Sequence, residues 1–236
     1  MAEQRVVMVG GGKGGVGKSS VTAGLARQLT AGGRKVGVID ADLAGPSQSV
    51  LFSCGPMRAE DGVMRPAACA ESVTVASIGL IAHQDTALVW SDATAAGAVQ
   101  LLTAPGMWAD RDVLLVDLPP GQGRVTTELA QRFPTAECLL VTTGSPLALE
   151  ECVRAAAFLR RMELPVAGLI ENMAFCPCSG CGAHNALFDA KDAERVAERL
   201  GVPLLARLPF DAGVAAGAGL REAAAAVATG PVTTEA

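Results

Sequence analysis

Residues 10–20, which read GGGKGGVGKSS, constrain the fold more than any other part of the chain. They follow an apolar run at residues 5–9 and precede apolar residues at helical spacing, so the expected context is strand, loop and helix. Residues 12–19 fit the pattern GxxxxGK[ST], in which the backbone N–H groups of a glycine-rich loop and the N-terminus of a helix surround phosphate oxygens. The stretch therefore predicts a nucleoside triphosphate site.

The predicted nucleotide contacts extend over this loop and into the first turn of the helix. Lys18 is expected to reach the β- and γ-phosphates, and the Ser19 hydroxyl to bind Mg²⁺. The loop residues predicted to contact the nucleotide are Gly12, Lys13, Gly14, Gly15, Val16, Gly17, Lys18, Ser19 and Ser20.

Acidic residues follow two apolar runs that are typical of strands buried on both faces. Asp40 and Asp42 come after the run at residues 36–39, and Asp117 ends the run at residues 112–117. In a doubly wound sheet, the carboxyl ends of the strands form the ligand crevice. We expect Asp40 and Asp117 to contact the water shell of Mg²⁺, and Asp42 to orient or deprotonate the water that attacks the γ-phosphate. The alternative is ordinary turn chemistry, because Asp is common after strands.

Two further residues are predicted to contact the nucleotide. Gly121 lies in the loop at residues 118–123, where a residue without a side chain can bring its backbone N–H close to the γ-phosphate. Asn172 follows the apolar run at residues 166–170, and its amide can hydrogen-bond a purine base.

Strand and helix signals alternate along the chain, which predicts an α/β fold with a three-layer, doubly wound, mostly parallel sheet in one domain at residues 1–236. Half of the residues are apolar, so a chain of this length can bury a sizeable core. We expect a surface excursion at residues 54–72, a final helix at residues 212–228 and a frayed tail at residues 229–236.

Charge and composition argue against several classes of protein. The net charge is −5 and no basic block is present, so neither nucleic acid nor a membrane surface is an expected partner. The sequence has no N-terminal signal pattern and no apolar run of membrane-spanning length, which predicts a cytoplasmic protein. In that compartment the seven cysteines are expected to be buried thiols or metal ligands rather than disulfides.

A second candidate site is the cysteine-bearing loop at residues 173–188. It contains Cys176, Cys178 and Cys181, and His184 follows them. Cys178 and Cys181 are half of a four-cysteine site, so two chains could together bind one bridging [4Fe–4S] cluster. All four residues could instead bind zinc within one chain. A redox-active cysteine pair is a third alternative, which an irregular loop does not favour.

The phosphate-binding loop carries a lysine at its second position, and GKGGVGKS resembles the deviant Walker A motif of P-loop NTPases such as MinD, ParA, the nitrogenase iron protein and Mrp. The resemblance implies that Lys13 reaches across a homodimer interface to the nucleotide of the partner. It thereby makes Lys13 a catalytic residue beside Lys18 and Asp42.

Sequence blocks along nearly the whole chain resemble the Mrp/ApbC family of ATP-dependent iron–sulfur cluster carriers. They include DADLAGPS from residue 40, SIGLIAHQDTALVW from residue 77, VDLPPGQG from residue 116 and LIENMA from residue 169. The CxxC of the family falls at Cys178 and Cys181, which the resemblance identifies as the cluster ligands.

This resemblance implies a homodimer that binds ATP, Mg²⁺ and a labile [4Fe–4S] cluster, and that transfers the cluster to apo iron–sulfur proteins with weak ATP hydrolysis. Asp92 and Arg124 lie where the chain departs from the family pattern, so the rate of hydrolysis stays open. The alternative function is a zinc-containing or cluster-free regulatory ATPase like MinD or ParA.

Overall fold

The computed structural model describes residues 4–60, 63–81 and 90–229 of the chain. The helices within these ranges are α1 Lys18–Ala31, α2 Gln48–Leu51, α3 Asp92–Leu102, α4 Arg124–Arg132, α5 Pro146–Arg161, α6 Ala190–Leu200 and α7 Arg221–Thr229. The strands are β1 Arg5–Gly10, β2 Val36–Asp40, β3 Arg58–Glu60, β4 Val63–Arg65, β5 Ala67–Ala68, β6 Val73–Ser77, β7 Val113–Asp117, β8 Glu137–Thr142, β9 Val166–Pro177, β10 His184–Ala186 and β11 Leu204–Pro209. Of the helices in these ranges, none combines the length and the apolar character needed to cross a bilayer.

One sheet of the described residues has the order β10-β9-β8-β1-β7-β2-β6-β5, and β11 also pairs with β9. Neighbours are parallel from β11 through β6, while the short strands β5 and β10 join in antiparallel fashion. Because the chain runs outward from β1 in both directions, the sheet is doubly wound. The prediction of a mostly parallel α/β sheet is confirmed.

Both faces of the sheet are covered by helices. Along β1, Val6 and Met8 belong to the core beneath α3, α4, α5 and α6, whereas Val7 and Val9 belong to the core beneath α1 and α7. Alternation of two apolar sets along one strand is what burial on both faces requires. The expected three layers are therefore present.

The central strands bring the motif residues to one edge of the sheet. Val9 of β1 lies beside Asp117 of β7, and Asp117 lies beside Asp40 of β2. Because these strands are parallel, their carboxyl ends and the loop that follows Gly10 meet at one crevice.

The final segment differs from the prediction of one helix at residues 212–228. A 3₁₀ turn covers Ala212–Val214, and α7 begins at Arg221. Gly217 and Gly219 have φ angles of 99° and 74°, in the left-handed region where an α-helix cannot continue. Thr229 ends α7, while residues 230–236 of the predicted frayed tail and residues 82–89 of the block from residue 77 lie outside the described residues.

Residues 54–72 also have more structure than expected. The segment contains the antiparallel hairpin of β3 and β4, then β5, which pairs with β6. Cys54 and Cys69 form a disulfide with Cα atoms 4.6 Å apart. The prediction that no cysteine forms a disulfide is therefore wrong. The hairpin returns the chain on itself and brings together two cysteines that the sequence separates by 15 positions.

The two departures from the family pattern, at residues 91–93 and at Arg124, lie at helix N-termini, and Asp92 is the first residue of α3. Ser91 caps α3: its hydroxyl accepts a hydrogen bond from the backbone N of Thr94 at 3.2 Å, and the Thr94 hydroxyl accepts one from the backbone N of Ser91 at 2.8 Å. Arg124 is the first residue of α4, a helix that the sequence motifs did not indicate, and its Nε donates to Glu128 at 2.8 Å. Local helix chemistry thus accounts for Ser91, and Arg124 is held on its own helix.

Candidate functional site

The phosphate-binding loop connects β1 to α1 and packs closely against the backbone of α5 and the side chain of Asn172. A Cβ atom on Gly12 would lie 2.2 Å from the carbonyl carbon and oxygen of Glu151 on α5. Gly17 has a φ of 89°, and a Cβ atom there would lie 2.1 Å from Nδ2 of Asn172. Both positions therefore require glycine. Lys18 begins α1 and is 7% exposed, so its charge is held within the crevice.

Asp40 is a fully buried carboxylate with all of its hydrogen bonds on one oxygen. Oδ2 accepts from the backbone N of Ser47 at 2.9 Å, from the backbone N of Gln48 at 3.0 Å and from Oγ of Ser77 at 3.1 Å. Burial and the neighbouring charge of Asp117 raise the pKa of Asp40 to about 7, although the three donors oppose the shift. The ligand-free carboxyl is thus poised to exchange a proton near neutral pH.

Asp117 is buried beside Asp40 and is tied to the phosphate-binding helix. Its Oδ2 accepts from Nε2 of Gln48 at 2.7 Å, and the Ser19 hydroxyl also donates to this carboxylate. Burial raises the pKa of Asp117, while the two donors and the Lys18 ammonium act in the opposite direction.

Three buried oxygens at this edge of the sheet have no hydrogen-bond partner among the described residues. They are Oδ1 of Asp40, Oδ1 of Asp117 and Oε1 of Gln48. Buried polar atoms are normally paired, so unpaired oxygens on neighbouring residues are suited to contact a cation. Carboxylate, amide and hydroxyl oxygens are the donors that a hydrated Mg²⁺ takes. The residues present fit Mg²⁺, with Ser19, Asp40 and Asp117 as its neighbours.

Asp42 and Gly121 lie in the loops that flank this carboxylate pair. Asp42 is half-buried, its Oδ1 accepts from the backbone N of Gly45 at 3.2 Å, and its charge contributes to the raised pKa of Asp117. Gly121 is exposed with a φ of 82°, which suits a glycine. A Cβ atom on Gly14 would lie 3.9 Å from Cβ of Pro120, so the loop that carries Gly121 runs beside the phosphate-binding loop.

The Asn172 side chain is hydrogen-bonded to the phosphate-binding loop. Its Nδ2 donates to the carbonyl oxygen of Val16 at 3.0 Å, and its Oδ1 is buried without a described partner. The oxygen end of the amide is therefore what remains for a purine. Its contact with a base stays a prediction, and the structure adds an anchoring contact that the sequence did not reveal.

Lys13 is exposed at the rim of a pocket of about 360 Å³. The pocket lies between the phosphate-binding loop and the segment after β10, and Met173, Leu187, Phe188 and Phe210 line it. Phe210 is 60% exposed, so this face presents apolar surface around the exposed Lys13.

The cysteines lie on a β-hairpin rather than in an irregular loop. The predicted strand at residues 166–170 continues as β9 to Pro177, and β10 pairs with its end, Asn185 beside Cys176 and His184 beside Pro177. The backbone N of Cys178 donates to the carbonyl oxygen of Ala183 at 2.8 Å and closes the turn. No pattern in the sequence indicates this hairpin, because the apolar run stops at residue 170.

Cys178 and Cys181 face each other at the tip of this hairpin. The backbone N–H groups of Cys181 and Gly180, and the Cys181 thiol, hydrogen-bond the sulfur of Cys178 and lower the pKa of its thiol. A lowered thiol pKa favours the thiolate, the form that binds metal. The structure therefore places the two predicted cluster ligands next to each other, and the surroundings of Cys178 favour its thiolate form.

The intrachain zinc alternative is not assembled in the described part of the chain. No three Cys, His, Asp or Glu side chains there form a group that could hold a metal ion. The His184 ring stacks on Phe175 with centroids 4.0 Å apart, and the Cys176 sulfur lies 3.9 Å from the carbonyl oxygen of Pro177. Cys138 and Cys152 are buried elsewhere, as expected, and burial raises the pKa of each thiol to about 12.

Comparison with known proteins places these sites in a family context. Residues 2–233 match the model of a family described as the NUBPL iron-transfer P-loop NTPase. An iron-sulfur cluster carrier protein from Haemophilus influenzae is 36% identical over 209 residues, and one from Pseudomonas fragi is 38% identical over 211 residues. Each alignment covers 88% of this chain, but 56% of the first relative and 73% of the second. The chain thus spans little more than half the length of the first of these relatives.

A solved structure has the same fold. A nucleotide-binding protein from Archaeoglobus fulgidus, in complex with ADP, superposes with a TM-score of 0.76 at 30% sequence identity. The superposition covers 92% of this chain and 87% of that protein.

Proposed function

Because the chain belongs to the family of NUBPL iron-transfer P-loop NTPases, we propose that it is a cytoplasmic, ATP-binding iron–sulfur cluster carrier. Its cargo is a [4Fe–4S] cluster held between two copies of the chain and transferred to apo iron–sulfur proteins. ATP hydrolysis is weak and accompanies the transfer.

The observation that carries this proposal is the pair of adjacent thiols at the tip of the β9–β10 hairpin. Cys178 and Cys181 supply two ligands, and the described residues around them supply no third side chain to the same centre. A four-ligand cluster then needs two more thiolates, which a symmetry-related copy provides through the same two residues. An exposed turn is a suitable place for cargo that must be released.

The nucleotide site and the cysteines share one strand. Asn172, near the middle of β9, holds the carbonyl of Val16 in the phosphate-binding loop, and the cysteine turn begins at the end of the same strand. A movement of the loop on nucleotide binding would displace β9 through this hydrogen bond. This supports a link between the bound nucleotide and the binding or release of the cluster. Lys13 and the apolar rim with Phe188 and Phe210 are the surface on which we place the second copy.

The chemistry of hydrolysis follows from the crevice residues. Lys18 neutralises the β- and γ-phosphates, and the Lys13 of a second copy adds positive charge as ATP is cleaved. Ser19, Asp40 and Asp117 would hold Mg²⁺, which supplies charge neutralisation of the phosphates. Asp42 orients the attacking water and accepts its proton, and the backbone N–H of Gly121 contacts the γ-phosphate.

Anaerobic reconstitution with iron and sulfide tests the proposal. The wild-type protein and Cys176→Ser should gain the broad visible absorption of a [4Fe–4S] cluster, with one cluster for each two chains. Cys178→Ser and Cys181→Ser should lose it. One zinc per chain without iron, or full cluster binding by both of the latter variants, would contradict the proposal.

A further inference from the structure

We propose that Gln48 is a positioning residue that sets the Mg²⁺-dependent part of nucleotide affinity, by fixing Asp40 and Asp117 relative to the start of α1. The inference rests on the proposed function, because it requires that the phosphate-binding loop binds ATP. No motif in the sequence assigns a role to Gln48, which follows the aspartate loop as the first residue of the short helix α2.

Gln48 joins three parts of the crevice. Its side chain is fully buried, and Nε2 donates to Oδ2 of Asp117 at 2.7 Å and to the carbonyl oxygen of Ser19 at 3.1 Å. Its backbone N donates to Oδ2 of Asp40 at 3.0 Å. One residue therefore sets the distance from the phosphate-binding helix to both carboxylates.

The side-chain oxygen of Gln48, Oε1, indicates that this arrangement contributes to a cation site. Oε1 is buried without a described hydrogen-bond partner, as are Oδ1 of Asp40 and Oδ1 of Asp117. A structural glutamine in a dry core would be expected to have its oxygen satisfied. The three unpaired oxygens instead lie on residues that the hydrogen bonds of Gln48 join, and carboxylate and amide oxygens are ligands that a hydrated cation takes.

The alternative is a purely structural role, in which Gln48 only holds α2 against the sheet. The helix has other anchors. Nη2 of Arg27 donates to the carbonyl oxygen of Leu51 at 2.8 Å, and the Arg27 guanidinium lies 4.6 Å above the ring of the buried Phe52. The backbone N–H groups of Ser47 and Gln48 bind Asp40 whatever the side chain at position 48. Both of the contacts that the Gln48 amide makes are on the crevice side.

Substitution of Gln48 by Met keeps the length of the side chain and removes its donors and acceptor. We would measure the affinity of a fluorescent, non-hydrolysable ATP analogue with Mg²⁺ and again with EDTA. The Mg²⁺-dependent gain in affinity should fall about tenfold, as for loss of a hydrogen bond to a charged group, while the affinity in EDTA changes less than about twofold. Gln131→Met, at an exposed position on α4, is the matched control and should change neither affinity.

The two affinities separate positioning from a structural role. An unchanged Mg²⁺-dependent gain in Gln48→Met, or an equal fall of both affinities, overturns the inference. If Gln48→Met does not fold, Gln48→Asn replaces it as the test variant, because the shorter amide cannot reach both Ser19 and Asp117. The same loss of the Mg²⁺-dependent gain in affinity is then expected. Failure of the wild-type protein to bind the analogue under either condition would instead reject the nucleotide site of the proposed function.

Discussion

Asp40 and Asp117 lie side by side, at paired positions of the parallel strands β2 and β7, and both are fully buried. Two carboxylates that cannot reach water disfavour each other's charge, and burial together with this repulsion raises the pKa of Asp40 to about 7. The crevice is therefore electrostatically costly without a cation and is prepared to bind one.

The first prediction concerns stability and pH in the absence of ligand. The pKa of Asp40 rises from an ordinary 3.8 to about 7, so between these values the folded protein keeps a proton that the unfolded chain has lost. The free energy of unfolding must then fall as the pH rises through this window. Asp40→Asn should flatten the fall and stabilise the ligand-free protein by about 2 kcal/mol at pH 8.

Denaturant unfolding of both proteins at pH 5 and pH 8 in EDTA measures this difference. Asp112→Asn removes the same charge at an exposed position and is the control for the change in net charge. Equal stabilities of wild type and Asp40→Asn at pH 8 would argue against the carboxylate pair.

A second prediction concerns the phosphate-binding loop. Gly12→Ala would place a methyl group 2.2 Å from backbone atoms of Glu151, which cannot move without α5. We expect destabilisation by at least about 2 kcal/mol, measured by denaturant unfolding. Gly14→Ala is the matched control, because its nearest neighbour would be 3.9 Å away. Similar stabilities of the two variants would mean that the loop does not pack on α5.

The disulfide gives a third prediction. Cys54 and Cys69 close a loop with a sequence separation of 15, and such a cross-link stabilises a fold by about 3 kcal/mol. Dithiothreitol should lower the stability of the wild-type protein by this order and leave a Cys54→Ser/Cys69→Ser variant unaffected. Peptide mapping without reductant should recover the linked pair; seven free thiols in air-exposed protein would contradict the assignment.

Asn172 supports a fourth prediction. Asn172→Ala removes the donor to the carbonyl oxygen of Val16 and leaves that oxygen without its amide partner. Nucleotide affinity should fall about tenfold, measured by titration with a fluorescent ATP analogue. Asn185→Ala, in the cysteine hairpin, should bind nucleotide like the wild type. A normal affinity in Asn172→Ala would show that neither end of this amide matters to the site.

The sequence indicates which residues meet at the crevice because they lie in short, local patterns, while their roles toward the nucleotide stay predictions. Lys18, Ser19, Asp40 and Asp117 each sit at the end of an apolar run or inside a glycine-rich loop, and parallel strands bring those ends together. Gln48 belongs to no such pattern. Its role depends on a contact with Asp117, from which it is 69 residues distant along the chain.

Two further features that the sequence does not indicate, the hairpin at Cys178 and the disulfide, also depend on contacts between residues that are separated along the chain. The hairpin at Cys178 forms because β10 pairs with the last three residues of β9, and no apolar alternation marks either segment. The Cys54–Cys69 disulfide depends on the return of the chain through a short exposed hairpin. Pairing over a distance, rather than local propensity, decides these features.

The central claim is that a single chain holds only half of the ligands for its cluster. Anaerobic native mass spectrometry of the reconstituted protein, with and without ATP, tests it directly. The account predicts a species of two chains and one [4Fe–4S] cluster, enriched by ATP and lost in Cys178→Ser. A single chain that carries a complete metal centre, with no change on addition of ATP, would contradict it.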